Sequence, residues 1–193
     1  MPFMEFWPTF VRGAAGNLDF FGLLGLGFGF ATGLMPSRRL ILLSSATCSV
    51  FFSLHFFRLG SPTGMAMNVI GVVQSLLAAQ FVAARGRPAW LDAVFAASFL
   101  LAAVLTVATW NGLPSIFAGA ATLVSTAARL QPAPQTMRLL LIGSGLGWAS
   151  HNLLVGSVCG LTCDCLGLLS FTVAFLRELG ASRRAPSSLA ASL

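Results

Sequence analysis

Four polar side chains stand inside long apolar runs of this sequence, where a polar group is costly and therefore informative. Asp164 lies in VCGLTCDCLG, Asn68 lies in TGMAMNVIG, and His55 and His151 precede these segments. A carboxylate at the centre of a membrane helix costs about 2.5–3.5 kcal/mol on insertion scales. A partner, water or a proton must offset that cost. We therefore expect Asp164 to bind a solute, and a structural hydrogen bond between helices is the alternative.

The other three polar residues have the same two interpretations. Asn68 shares a helix face with Gly64, Gly71 and Ser75, and such small residues mark close helix contacts in membranes. Asn68 and Asp164 should therefore point inward and towards each other, binding a solute or bonding helices. His55 and His151 are expected near the outer helix ends, where they could gate, bind a solute or share a proton with Asp164. Hydrogen-bonded packing is their alternative.

The remaining reactive side chains favour no further chemistry. Cys159, Cys163 and Cys165 form C-x3-C-x-C, which could hold a soft metal, but membrane cysteines usually pack as small apolar residues. We expect no metal and no cofactor. The sequence indicates no Ser/His/Asp set, no paired carboxylates and no H-E-x-x-H motif, so we do not expect an enzyme.

The composition says what must position these residues. Of 193 residues, 56% are hydrophobic and 8% are charged, with a mean hydropathy of +0.87. A water-soluble globule needs more polar surface than this. A bilayer core of roughly 30 Å needs about 20 apolar residues per helix. We predict an all-α membrane protein with seven transmembrane helices, at residues 18–35, 40–59, 64–84, 90–109, 113–128, 139–155 and 158–176.

Arginines predict the orientation. The chain has no lysine, and its arginines lie between the apolar runs rather than in a patch, so nucleic acid is not an expected partner. Two arginines, Arg12 and Arg58, lie on the side of the N-terminus. The side with the excess of basic residues is the cytoplasmic side. The N-terminus should be outside and the C-terminus inside. Nine lie on the other side: Arg38, Arg39, Arg85, Arg87, Arg129, Arg138, Arg177, Arg183 and Arg184.

The chain matches itself at an offset of 96 residues. Positions 53–71 and 149–167 both fit H-x4-G-S-x2-G-x3-[N/D]-x2-G, which pairs His55 with His151 and Asn68 with Asp164. Two triple-helix units can share one orientation only if a further span separates them, because three is odd. We therefore predict 3+1+3 parallel repeats. Parallel repeats occur in transporters, whose binding site lies at the repeat interface.

The predicted organisation has five parts. An interfacial segment (1–17) precedes a first triple-helix bundle (18–84), a linker helix (90–109), a second bundle (113–176) and a disordered cytoplasmic tail (177–193).

The segments HFFRLGSPTGMAMNVIG and WASHNLLVGSVCG resemble the bacterial inner-membrane YgjV family, over about residues 18–178. That resemblance implies a multi-pass protein of the bacterial inner (plasma) membrane. More distantly, the 3+1+3 plan is similar to the SWEET/PQ-loop superfamily and the PnuC transporters. The resemblance to SWEET proteins implies that Trp148 and Asp164 in the second bundle line a substrate cavity, with Phe52 and Asn68 in the matching columns.

Two functions remain open on the sequence alone. The first is a small-solute transporter or facilitator, with Asn68, Asp164, Trp148, His55 and His151 as candidate solute contacts. The second is a non-transporting membrane scaffold or assembly factor, in which these residues only hold helices together. The expected partners are the lipid bilayer and a small polar solute, and assembly into a homo-oligomer is left open.

Overall fold

The computed structural model describes residues 17–83 and 86–184. Within them the chain forms seven α-helices, and the expected interfacial segment and the last residues of the tail lie outside the described ranges. The helices are α1 (Phe20–Leu34), α2 (Arg38–Arg58), α3 (Pro62–Phe81), α4 (Ala89–Ala108), α5 (Leu113–Arg129), α6 (Pro134–Val155) and α7 (Val158–Arg184).

The seven predicted spans each correspond to one helix, and two of the ends differ by five residues or more. α6 begins at Pro134, five residues before the predicted start, because proline suits the first helical turn, where an N–H would have no partner. α7 continues to Arg184, so residues 177–184 are helical where we expected a disordered tail.

Among the described helices, four are long and apolar enough to cross a membrane: α2, α3, α4 and the Val158–Gly180 part of α7. α1 is apolar but has only 15 residues. α5 is rich in buried small residues such as Ala118, Gly119 and Ala121, so it packs closely against its neighbours. Large apolar side chains such as Leu100, Val107 and Leu169 stay exposed, as lipid contact requires.

The Gly-Ser pair of the repeated motif forms the same turn at both of its occurrences. Gly60 and Gly156 both have positive φ, 66° and 70°, which glycine adopts without a Cβ penalty. The next amides repeat the pattern: Ser61 N–H donates to Phe56 O and Ser157 N–H donates to Asn152 O, each at 2.9 Å. One helix ends and the next begins within two or three residues. We call this end of the molecule the serine side, and the opposite end the arginine side.

Six helices form a closed ring. Chain neighbours pack together as α1–α2–α3 and α5–α6–α7, and two junctions, α1–α7 and α3–α5, close the circle. α4 lies outside the ring against α3 and α5.

The two junctions are built differently. At α1–α7, Gly29 lies against Cys163 and Gly33 against Ser170, and a Cβ on either glycine would overlap its neighbour. At α3–α5, polar side chains meet: Thr63 Oγ1 lies 2.8 Å from Thr109 Oγ1 at the end of α4 and 2.9 Å from Ser115 Oγ. One junction therefore relies on close backbone approach and the other on hydrogen bonds.

Candidate functional site

A cavity of about 150 Å³ occupies the centre of the ring. All six ring helices line it, whereas α4 contributes no lining residue. A water molecule takes about 30 Å³ of liquid volume, so the space suits several waters or one small solute. Its polar lining residues are Thr32, Ser45, Ser49, Asn68, Ser125, Arg129, Ser144, Asn152 and Asp164.

Asp164 reaches this cavity from α7 and is partly exposed to it. Its Oδ2 accepts a hydrogen bond of 2.6 Å from Asn152 Nδ2 on α6. Asn152 is only 3% exposed, and its Oδ1 is buried without a hydrogen-bond partner in the described part of the chain. The Asp164 carboxyl group therefore faces the cavity, whereas the unpaired Asn152 oxygen is buried against Gly160.

Asn68 lines the cavity from α3, as the glycine face predicted. Its Nδ2 donates to Gly64 O in the preceding turn at 2.9 Å. Asn68 and Asp164 line the same cavity but do not bond to each other within the described structure. The space between the walls is thus left for another group.

Stacked aromatic rings close the cavity towards the serine side. Trp148 lies on α6 and stacks on Phe56 with ring centroids 6.1 Å apart, and Phe56 stacks on Phe52 at 5.9 Å. All three line the cavity. Trp148 is therefore placed where a bound solute would touch its ring.

The two histidines cross between the halves of the ring. His55 Nε2 lies 2.8 Å from Ser157 Oγ, and His151 Nε2 lies 3.4 Å from Ser61 Oγ. Each histidine therefore meets the serine of the other half. Both rings are 0% exposed and neither lines the cavity. Their placement differs from the expected solute contacts, because the partners that satisfy them lie at the serine side, beyond the aromatic rings.

The second nitrogens of the histidines have different partners. His55 Nδ1 lies 2.9 Å from Asp19 Oδ2, and His151 Nδ1 donates to Pro114 O at 2.8 Å. Asp19, His55 and Ser157 are thus hydrogen-bonded through the same atoms as a hydrolase triad. Our prediction that the chain has no Ser/His/Asp set is therefore wrong. Ser157 is 0% exposed and its Oγ also accepts from Gly160 N–H at 3.1 Å. The Ser157 hydroxyl has no free space around it, so the hydrogen bonds from Asp19 through His55 to Ser157 hold helices together.

Arg129 is the residue that sequence reasoning missed. It is the last residue of α5, not a loop residue, and it is 7% exposed while lining the cavity. Nε donates to Ser75 Oγ at 2.8 Å, and Nη1 donates to Gln74 Oε1 and Ser125 Oγ at 3.1 and 2.8 Å. Nη2 makes no hydrogen bond to the described residues. An arginine beside a proline-rich turn resembles a topology signal, so only the spacing to Ser125, one turn earlier, could have indicated an inward side chain.

Comparison with known protein families identifies the family of this chain. The model of the Imp-YgjV family, described as bacterial inner membrane proteins, matches residues 18–181. The chain belongs to the Imp-YgjV family. The match covers the ring helices as far as residue 181 and confirms the expected location in the bacterial inner membrane. No curated protein and no solved structure matches the chain.

A second arginine of this Imp-YgjV protein caps two helices. Arg38 donates to four carbonyls: Nε to Gln131 O, Nη1 to Ala78 O and Val82 O, and Nη2 to Arg129 O, at 2.6 to 3.1 Å. These carbonyls end α3 and α5, where the helix dipole favours a cation. Arg38 therefore fixes the α3–α5 junction on the arginine side, in addition to any contact with lipid headgroups.

The charges that line the cavity have no ionic partner in the described part of this family member. The ion pairs there involve other groups: Asp19 with His55 and Arg58, Arg87 with Asp92, and Arg138 with Glu178. Asp164 and Arg129 therefore line one cavity as a carboxyl group and a guanidinium, and each is held by neutral hydrogen-bonding groups only.

Proposed function

We propose that this Imp-YgjV protein is a transporter or facilitator of a small polar solute, which binds in the central cavity between two three-helix halves. The observation that carries the proposal is the cavity itself, because both halves line it and its walls hold polar and charged groups at membrane depth. Such groups are costly in lipid and mark solute pathways. Asn68, Asp164 and Trp148 are the proposed solute contacts, and the proposal includes no reaction chemistry.

The proposal includes 3+1+3 parallel repeats, and the ring contacts support them. Adding 96 to the residue numbers of α1 and subtracting 96 from those of α7 converts the α1–α7 junction into the α5–α3 junction. The same shift converts the pair His55–Ser157 into His151–Ser61. It also converts Gly33–Ser170 into Arg129–Gln74. α4 then joins the two halves and has no counterpart.

The proposal also places the N-terminus outside and the arginine side in the cytoplasm. Arg39, Arg87, Arg138 and Arg177 remain on that side, and this excess favours the cytoplasm. The cavity lies between the aromatic rings and the arginine side. We therefore propose that the described state faces inward, with the crossed histidine–serine pairs holding the outer end closed. An outward-facing state would need both pairs to separate.

Uptake with a blocked cavity tests this function. Ser45 lines the cavity from α2, whereas Ser53, on the same helix, does not. Wild type, Ser45→Leu and Ser53→Leu would be reconstituted into liposomes and tested for counterflow of labelled sugars, amino acids, nucleosides and vitamins. We expect one solute class to exchange, Ser45→Leu to reduce exchange at least tenfold, and Ser53→Leu to match wild type.

The contrary outcomes are distinct. If no solute class exchanges, or if Ser45→Leu exchanges as fast as wild type, the transport proposal fails. If the protein exchanges no solute and the cavity variants melt at lower temperatures, the scaffold or assembly factor is favoured instead.

A further inference from the structure

The ionisable groups of the cavity specify more than a polar solute. Asp164 and Arg129 line one cavity and have no ionic partner within the described residues. A charge removed from water without a partner is strongly unfavourable, and a charged group of a solute that enters the cavity would supply the counter-charge. One solute that carries both signs would neutralise both groups together.

The hydrogen-bonding groups beside Asp164 match an ammonium. An ammonium has three donors and no acceptor. Asp164 presents its carboxyl group to the cavity, and the adjacent Asn152 donates Nδ2 to its Oδ2. Asn152 Oδ1 is buried over Gly160, where a Cβ would overlap it, and lacks a partner in the described chain. The acceptors that an ammonium can reach from the cavity are therefore those of Asp164.

The groups beside Arg129 match a carboxylate. Nε and Nη1 are held by Ser75, Gln74 and Ser125, which fix the plane of the guanidinium. Nη2 keeps two N–H donors that bond to no described residue. Guanidinium donors bind carboxylates through charge-assisted hydrogen bonds, which are stronger than neutral ones. The arginine is thus oriented before a solute arrives.

The proposed repeat relates the heights of the two charges along the ring. Arg129 Nη2 lies 3.2 Å from where a Cβ of Gly71 would be, so its height is that of Gly71. Asn68, the counterpart of Asp164, lies three residues earlier on α3, or about 4.5 Å along the axis at 1.5 Å per residue. The opposite charges therefore differ in height by about one helical turn.

We infer that the solute is a small zwitterion of the amino-acid class, whose ammonium binds at Asp164 and whose carboxylate binds at Arg129. This inference rests on the transport function proposed above and narrows it to one substrate class.

The experiment compares molecules of one shape that differ only in charge. Liposomes containing the full-length chain take up labelled alanine by counterflow. Lactamide, propionate and isopropylamine then compete as its uncharged, carboxylate-only and ammonium-only analogues. Glycine, β-alanine and γ-aminobutyrate test the separation of the two charges. We expect zwitterions to compete at least tenfold better than the three analogues.

Variants assign each end of the solute to its residue. We expect Asp164→Asn and Arg129→Gln each to reduce alanine exchange at least tenfold, while Arg129→Lys retains part of it. Melting temperatures show which variants fold. If Arg129→Gln does not fold, Arg129→Lys and Asp164→Asn decide the matter.

The outcomes separate this inference from the proposed function. Exchange of a sugar or nucleoside that Ser45→Leu blocks, without exchange of any zwitterion, overturns the inference and leaves transport standing. Equal competition by lactamide and alanine also overturns it. If no solute exchanges at all, transport itself fails.

Discussion

The two halves of the ring are alike at the serine side and different around the cavity. Residues 20–81 and 113–184 both carry the histidine, the positive-φ glycine and the serine that cross between them. Around the cavity the matched positions of the repeat differ: Phe56 matches Asn152, Asn68 matches Asp164, and Gly33, which does not line the cavity, matches Arg129. Both unpaired charges thus come from the second half. Matched positions close the ring, and unmatched positions specify what the cavity accepts.

The largest effect is expected on the arginine side of α3–α5, where one arginine has no counterpart in the other half. Arg38→Gln removes bonds to four carbonyls, and hydrogen bonds to a charged group contribute about 1.5–3 kcal/mol each. We expect a loss of roughly 3 kcal/mol in the free energy of unfolding in detergent. Arg39→Gln is the matched control, because Arg39 is exposed and caps no described helix. Equal losses in both variants would show that headgroup contact, not capping, explains Arg38.

A smaller effect is expected at the opposite junction, α1–α7, where packing replaces hydrogen bonds. Gly33→Ala would place a Cβ into Ser170, and overpacking costs about 1–3 kcal/mol. Gly27→Ala on the same helix meets nothing within 4 Å and should be neutral or stabilising. Adding Ser170→Gly to Gly33→Ala should restore most of the loss. Thermal unfolding that ranks the two glycine variants equally would contradict the proposed close contact.

The smallest effect is expected between the two crossed pairs. His55 bonds two side chains, including the Asp19 carboxylate, whereas His151 bonds one side chain at 3.4 Å and one carbonyl. We expect His55→Ala to cost about 1–2 kcal/mol and His151→Ala about 1 kcal/mol, since each leaves buried groups unpaired. Double-mutant cycles should couple His55 to Ser157 and His151 to Ser61. Coupling of either histidine to the serine of its own half would refute the crossing.

The sequence predicted the helices and the cavity residues on small-residue faces, but not the partners of those residues. Seven apolar runs with punctuation between them specify seven helices, and the glycines around Asn68 and Asp164 put both into the cavity. Asn152 gave no signal, because a phenylalanine occupies its matching column. Asp19 lay at a predicted span boundary, so its bond to His55 depends on how α1 packs against α2. Such pairs form only when the ring closes.

Trp148 and Asp164 line the central cavity, while the similarity to SWEET proteins that suggested them stays a prediction. The histidines show the limit of that reasoning. The repeat put them in one column, but a column does not say whether a side chain points to the cavity or across the junction. That depends on which half supplies the hydrogen-bond partner.

Protection of one cavity thiol tests the central claim, that a solute binds between the two halves, most directly. Cys48 lines the cavity, whereas Cys165 is exposed on the outside of α7. Variants retaining only one of these two cysteines would be labelled in inverted vesicles with a membrane-impermeant thiol reagent, with and without saturating alanine. We predict that Cys48 is labelled and that alanine slows its labelling at least fivefold, whereas Cys165, which faces lipid, stays unlabelled with and without alanine. The account is contradicted if no solute that the protein exchanges changes the rate at which Cys48 is labelled.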